Sequence, residues 1–488
     1  MSVRDADIAL LPAATPLIGG KRFDDASADL VPHIYAATGK RTVDVHSAGA
    51  DSVHAAVADA RSAAPAWRAL SPDARRRLLL KLAALIEQHA DELTDIQVIE
   101  TSTPRGMAGH YAPMVVDVLQ YYAGWADKVG GDIHPVWPAQ ALDYSVLEPY
   151  GVVAVILPWN SPLFSVGSIV APALAAGNCV VVKPPELTPF TSLRFAELAL
   201  EAGIPPGVLN VIPGGAVAGA ELVSHPGVDK IHFTGSGPTA QRILAAAAAN
   251  FTPVGLELGG KSPNLIFADA DLETAAQTAV IASLQLSGQA CVAGTRLLVQ
   301  DSVYDEMVER CAAQIAQLPV GDPTDQSTFF GPLINNVACE RVLGFIERAA
   351  ADNRSRIVTG GTRLGDELAS GYYVAPTLIA DVATDSEVAR EEVFGPVMSV
   401  LSFRDEAEAI AIANDSVYGL GAYIQTTDLQ RAHRVASAIE SGMVWVNGAG
   451  GLPPSMPFGG YKHSGVGRLG GRAGLEEFSQ RKNVWIAL

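Results

Sequence analysis

From about residue 150 to residue 320, short unbroken apolar runs alternate with longer stretches whose apolar residues recur every three or four positions. Residues 152–157 and 179–182 carry only apolar side chains, the pattern of strands covered on both faces of a parallel sheet. The stretch between them, near 165–176, reads as a buried helix. Helices are expected again near 192–202, 217–224 and 239–249, with strands at 209–212, 230–233 and 254–258. A second series follows Lys261: a strand at 264–267, a helix to about 286, a strand at 296–300 and a helix to about 318. Upstream, 51–66 and 73–97 read as amphipathic helices, the latter through Leu78, Leu82, Leu85, Ile86 and Leu93. Repeated strand–helix–strand units of this kind build a doubly wound, Rossmann-type α/β sheet.

One segment competes with that picture. No charged residue stands between Glu148 and Lys183, a span long enough to cross a bilayer. Pro158, Pro162, Pro172 and Asn160 interrupt it, so two strands and a helix fit better than one spanning helix. Residues 1–7 lack a basic region followed by an apolar run, so no secretory leader is read there and a cytoplasmic location is expected.

Composition narrows the class. The chain has 488 residues, 49% of them hydrophobic and 18% charged, enough for two or three domains with real cores. The formal net charge of −18 repels phosphate backbones and anionic membranes, which argues against nucleic-acid and membrane partners. Four cysteines, Cys179, Cys291, Cys311 and Cys339, are too few and too scattered for a disulfide framework. The ten histidines form no HExxH and no close pair, so no metal is expected.

Among the cysteines Cys291 stands apart. It lies in Ser287-Gly288-Gln289-Ala290-Cys291-Val292-Ala293-Gly294, a run of mostly small residues between a helix and a strand. Small neighbours leave a thiol reachable and bring backbone amides close. A thiolate is the strongest nucleophile a protein offers near neutral pH. Just upstream, Leu256-Glu257-Leu258-Gly259-Gly260-Lys261 offers a carboxylate. Thiol plus base points to covalent catalysis at a carbonyl carbon. By contrast Cys179, within Cys-Val-Val-Val, reads as a buried hydrophobe, and Cys311 and Cys339 lie on amphipathic helices.

A nucleotide site is also indicated. Gly235-x-Gly237-x-x-Ala240 follows a strand and opens a helix, with Glu257 about twenty residues on, as the dinucleotide fingerprint asks. That fingerprint would assign Glu257 to a ribose and leave Cys291 without a base. At the level of the motif the two readings of Glu257 conflict.

Seven blocks together resemble the NAD(P)-dependent aldehyde dehydrogenase superfamily, over essentially the whole chain. They are Pro158-Trp159-Asn160-Ser161-Pro162-Leu163, Val182-Lys183-Pro184-Pro185-Glu186, Phe233-Thr234-Gly235-Ser236, Leu256 to Lys261, Gly288 to Cys291, Glu391-Glu392-Val393-Phe394-Gly395-Pro396, and Pro457-Phe458-Gly459-Gly460-Tyr461-Lys462-His463-Ser464-Gly465. The resemblance implies that Cys291 attacks the aldehyde, that Asn160 and the Cys291 N–H hold the oxyanion, and that Glu257 activates water. It assigns Lys183 and Glu186 to the adenosine ribose of NAD, Gly235 and Ser236 to the pyrophosphate, and Glu392 and Phe394 to the nicotinamide half. Trp159 is expected at the cofactor and, with Phe458, along the substrate channel. Glu186 at the ribose disfavours the extra phosphate of NADP.

The same resemblance implies an NAD-binding domain from 1–130 and 150–258, a catalytic domain over 259–463, and oligomerisation strands at 131–149 and 479–488 of a homodimer or homotetramer. Ser161, Ser165, Gln285, Leu452 and Phe458 should face the substrate. These stretches hold no arginine to clamp a carboxylate, so an uncharged, bulky aliphatic or aromatic aldehyde is expected. A CoA-acylating or semialdehyde dehydrogenase of the same fold, and a non-catalytic relative, are the alternatives; retention of Glu257 favours water. The chain departs from the family pattern at Leu469, where a glutamate often follows Gly467-Arg468, which places more of the deacylation on Glu257.

Overall fold

A computed structural model describes residues 8–25 and 29–487; the leader reading at residues 1–7 lies outside them, as does Leu488. The apolar runs of the sequence become the centre of an eight-stranded sheet. Its strand order is Gly465–Val466, Val254–Leu258, Lys230–Gly235, Val152–Ile156, Cys179–Lys183, Leu209–Val211, Leu17–Ile18 and Lys21–Arg22. The five central strands are parallel, and the flanking short strands pair antiparallel. Val152–Ile156 and Cys179–Lys183 are buried along their whole length, which explains why neither strand alternates polar and apolar residues. Helix Pro162–Ala176 connects them and ends at Gly177, whose φ of 100° only glycine adopts easily.

Chain order reverses beside Val152–Ile156. The next two strands add on one side of it, and Lys230–Gly235 and Val254–Leu258 add on the other. At such a switch point the loops leaving the carboxyl ends of the strands diverge and open a crevice. The loops after Ile156, Lys183, Gly235 and Leu258 all emerge at that end, so Asn160, Lys183, Ser236 and Glu257 are gathered there by topology.

A seven-stranded sheet follows, in the order Arg356–Thr359, Thr377–Ala380, Val397–Phe403, Arg296–Gln300, Pro263–Ile266, Gly421–Gln425 and Met443–Val446. All but its first strand run parallel. A three-stranded sheet joins Ile133–His134, Ala141–Pro149 and Ser479–Ala487. Among the described residues no helix is long and apolar enough to cross a membrane.

Two expected elements differ. The helix read at 73–97 is two helices, Pro72–Gln88 and Ala90–Thr101, broken at His89. His89 contacts Glu92 (2.5 Å), and Glu92 takes Arg194 (2.6 Å) from helix Phe190–Glu201, so the second helix is turned toward that partner. The helix read to about 286 stops at Leu284, because Leu286 and Ser287 adopt left-handed φ of 54° and 56°. Gly288 then passes so close to the Gly395 carbonyl that a Cβ would collide with it.

Candidate active site

Cys291, Glu257 and Asn160 line one cavity. Each arrives from a different element: Asn160 from the loop after Val152–Ile156, Glu257 from the end of Val254–Leu258, and Cys291 from the loop entering Arg296–Gln300. Cys291 is half-buried, whereas Cys179, Cys311 and Cys339 are fully buried. It sits in a turn closed by the Ala293 N–H on the Ala290 carbonyl at 3.1 Å. The Asn160 side-chain amide donates to the Gln289 carbonyl at 2.8 Å, which ties it to the cysteine loop. An amide nitrogen carries two protons, so one remains for a substrate oxygen.

The site is electrostatically poised against ionisation. Burial, then the Glu392 and Glu257 carboxyls, push the Cys291 thiol up to about 12, and the N–H groups of Cys291 and Val292 pull the other way. Glu257 is 3% exposed, and neither of its oxygens has a hydrogen-bond partner among the described residues. Burial raises its pKa well above the ordinary carboxylate value; Arg468 opposes this and Glu477 adds to it. Burial likewise brings Glu392 up to about 7, against the Gly260 N–H, Lys261 and Arg341. Each of the three acids therefore holds its proton to a higher pH than a free side chain would. In the ligand-free protein, alkylation of Cys291 by iodoacetamide should accelerate about tenfold per pH unit between about 7 and 9, following the thiolate fraction. Peptide mass mapping after timed quenching measures this, and a plateau below pH 8 would contradict it.

The residues expected at a dinucleotide lie near the carboxyl ends of the same parallel strands and in the loop before strand Val397–Phe403. A Cβ on Gly215 would lie 3.1 Å from a Glu186 carboxylate oxygen, and one on Gly219 would lie 3.8 Å from the Lys183 stem. Lys183 is buried and donates to the Gly214 and Pro184 carbonyls. Its pKa falls to about 8 through burial, partly offset by Glu186. Ser236 precedes helix Gly237–Ala247 and makes no side-chain cap bond, so that N-terminus is open to an anion. Glu392 accepts the Gly260 N–H at 3.2 Å and packs so tightly on Gly259 that a Cβ there would collide with it. Phe394, with a left-handed φ of 49°, meets Trp159 edge-on at 5.3 Å.

The sequence reading and the geometry part at two places. Trp159 does not line the cavity that holds Cys291; its ring packs against Phe394. Gln285 caps helix Leu272–Leu284 and lies outside the cavity wall, because the left-handed pair after it turns the chain. Glu257 shares the wall of the cavity with Cys291, and Lys183 and Glu186 are not part of that wall. Ser161, Ser165, Leu452 and Phe458 do line the cavity. The sequence reading missed Val118 and Tyr122, one turn apart on helix Tyr111–Trp125, and Phe164, Ser168 and Met456. Ser161, Ser165 and Ser168 recur at helical spacing, a signal that could have found Ser168. Nothing in the Tyr111–Trp125 segment marks Val118 as facing a ligand.

A reachable thiol, a buried carboxyl and a side-chain amide around one cavity fit the class of enzymes that work on a carbonyl group through sulfur. The aldehyde dehydrogenase family model matches residues 23–484. An NAD-dependent aldehyde dehydrogenase from Sinorhizobium meliloti is 38% identical, with 100% of this chain and 97% of that one covered at a TM-score of 0.96. PnpE from Pseudomonas sp. WBC-3 is 39% identical over 98% of both chains, TM-score 0.95. Betaine aldehyde dehydrogenase from Staphylococcus aureus, solved with NAD+, is 34% identical over 99% of this chain and 96% of its own, TM-score 0.96. The chain belongs to the aldehyde dehydrogenase family.

Proposed function

We propose that the protein oxidises an uncharged, bulky aliphatic or aromatic aldehyde to its carboxylic acid with NAD, through a hemithioacetal and then a thioester on Cys291. The observation that carries this is the shared cavity of Cys291, Glu257 and Asn160, whose wall among the described residues holds no lysine or arginine. A substrate carboxylate would find no cation there. Apolar contacts come from Phe164, Ile169, Met456, Phe458 and Leu469, and the serines offer hydroxyls to a polar substituent.

In this mechanism Cys291 gives its proton to solvent water as its sulfur adds to the aldehyde carbon. The free Asn160 N–H and the Cys291 backbone N–H meet the oxygen that gains charge. NAD, when bound, would supply a hydride acceptor. Lys183 and Glu186 would hold the adenosine ribose, Gly235 and Ser236 the pyrophosphate, and Glu392 and Phe394, backed by Trp159, the nicotinamide half. Glu257 then takes a proton from water as it attacks the thioester; the acid leaves and the sulfur recovers its proton. The strands around the eight-stranded sheet serve as the cofactor-binding unit (1–130 and 150–258), and 259–463 as the catalytic unit. The sheet of Ile133–His134, Ala141–Pro149 and Ser479–Ala487 exposes Ile133, Leu142 and Ile486 on one face, an apolar surface suited to a second copy in a homodimer or homotetramer.

An aldehyde panel with NAD and NADP, followed by absorbance of the reduced cofactor, tests the proposal. Hexanal and benzaldehyde should be oxidised with higher kcat/KM than succinate semialdehyde. NAD should exceed NADP about tenfold, because repulsion between Glu186 and a 2′-phosphate costs about 1.4 kcal/mol. Preference for the semialdehyde would contradict the substrate class, and release of acyl-CoA in the presence of CoA would replace water as the acyl acceptor.

A further inference from the structure

Two loops meet across the cavity, and two stacked rings lie between them. The carbonyl of Val292, the residue after the nucleophile, receives the Tyr423 hydroxyl at 2.9 Å. Tyr423 is fully buried on strand Gly421–Gln425. Parallel pairing sets it opposite Trp445 on strand Met443–Val446. Their ring centroids are 5.0 Å apart and their planes 19° from parallel. The Trp445 indole N–H donates to the Gly451 carbonyl at 3.1 Å. Gly451 leads directly into Leu452, Pro453 and Pro454, which line the cavity. Glycines make room on both sides. A Cβ on Gly294 would lie 2.9 Å from the Tyr423 ring, and one on Gly450 would lie 3.4 Å from the Tyr423 hydroxyl.

We propose that Tyr423 and Trp445 are positioning residues, a strut that holds the turn carrying Cys291 and the substrate-facing loop at Leu452 in fixed register. This rests on reading Cys291 as the nucleophile. The N–H groups of Cys291 and Val292 both act on the sulfur, and those groups keep their aim only while the turn keeps its orientation. Without its donor, the buried Val292 carbonyl gains by turning toward another partner or toward water. That motion would swing the Ala293 N–H, which shares the peptide plane, off the Ala290 carbonyl that closes the turn, and so loosen the turn that aims the Cys291 and Val292 N–H groups. Burial and the nearby Cys291 sulfur raise the Tyr423 pKa, so the phenol stays a donor across the working pH range.

Three variants test the strut. Tyr423→Phe keeps the stacked ring and removes only the hydroxyl. It should lower kcat about tenfold, leave the KM for NAD within about twofold, and shift the pH profile of Cys291 alkylation. Trp445→Phe keeps a ring and removes the indole N–H. It should raise the aldehyde KM about fivefold with a smaller effect on kcat. In the double variant kcat/KM should fall little further than in the worse single variant, because either change breaks the same connection. Losses that multiply independently would overturn the strut, as would an unmoved alkylation profile in Tyr423→Phe at unchanged Tm. Full turnover in Cys291→Ala would instead remove the nucleophile reading on which the strut rests.

Discussion

Replacing Cys291 by alanine is expected to lower kcat/KM for any accepted aldehyde at least about 10⁴-fold, equivalent to about 5.5 kcal/mol of transition-state stabilisation. The size of the loss follows from the chemistry, since no other thiol can substitute. Cys179, Cys311 and Cys339 are buried in cores, and no hydroxyl on the cavity wall is paired with a strong base. The variant should fold normally, because a half-buried sulfur on a cavity wall leaves little void when removed. It should also keep its NAD affinity, since Lys183, Glu186 and Ser236 lie on other loops. Steady-state kinetics, a melting curve and a dinucleotide titration distinguish this outcome from simple unfolding. Residual turnover within a hundredfold of the parent would move the chemistry off the thiol.

The second large effect belongs to Glu257. Glu257→Gln keeps the volume and removes the base, so steady-state turnover should fall about 10²- to 10⁴-fold. A rapid first turnover of reduced cofactor should survive, because hydride departure precedes the water step. Two side effects follow from the electrostatics and separate this variant from a damaged protein. Glu257 raises the Cys291 pKa, so its neutralisation should speed alkylation of Cys291 at pH 8. The second concerns stability. An acid whose folded pKa is raised above its ordinary 4.5 binds its proton more tightly when folded. The associated stability is complete below about pH 4.5 and is lost as pH rises toward the folded value. Removing that group should therefore leave Tm at pH 8 equal to or above that of the parent. A lost burst together with a lowered Tm would argue that Glu257 supports the fold and does not act on water.

The alternating runs at 152–157 and 179–182 made the parallel sheet legible, because a strand buried on both faces has no reason to carry a polar residue. The short blocks around Asn160, Glu257 and Cys291 were legible for a related reason: each stands at or beside a strand end, and the fold brings all three to one cavity. The helix break at His89 was hidden, since the apolar period continues across it and the second helix is held by tertiary contacts, its buried face and the bonds of Glu92 and Glu100 to helix Phe190–Glu201. The left-handed backbone at Leu286, Ser287 and Phe394 was hidden too, because tertiary packing imposes it on residues that do not favour it. Gln285 was misplaced for that reason. Val118 and Tyr122 come from a helix whose apolar face looks like any other, and only the fold reveals that part of that face borders the cavity.

The most direct measurement is the intact mass of Glu257→Gln quenched in acid seconds after mixing with NAD and benzaldehyde, followed by peptide mapping. The account predicts a protein heavier by one benzoyl group, with the added mass on the peptide containing Cys291 and in proportion to the burst of reduced cofactor. Reduced cofactor formed while Cys291 remained unmodified would contradict it.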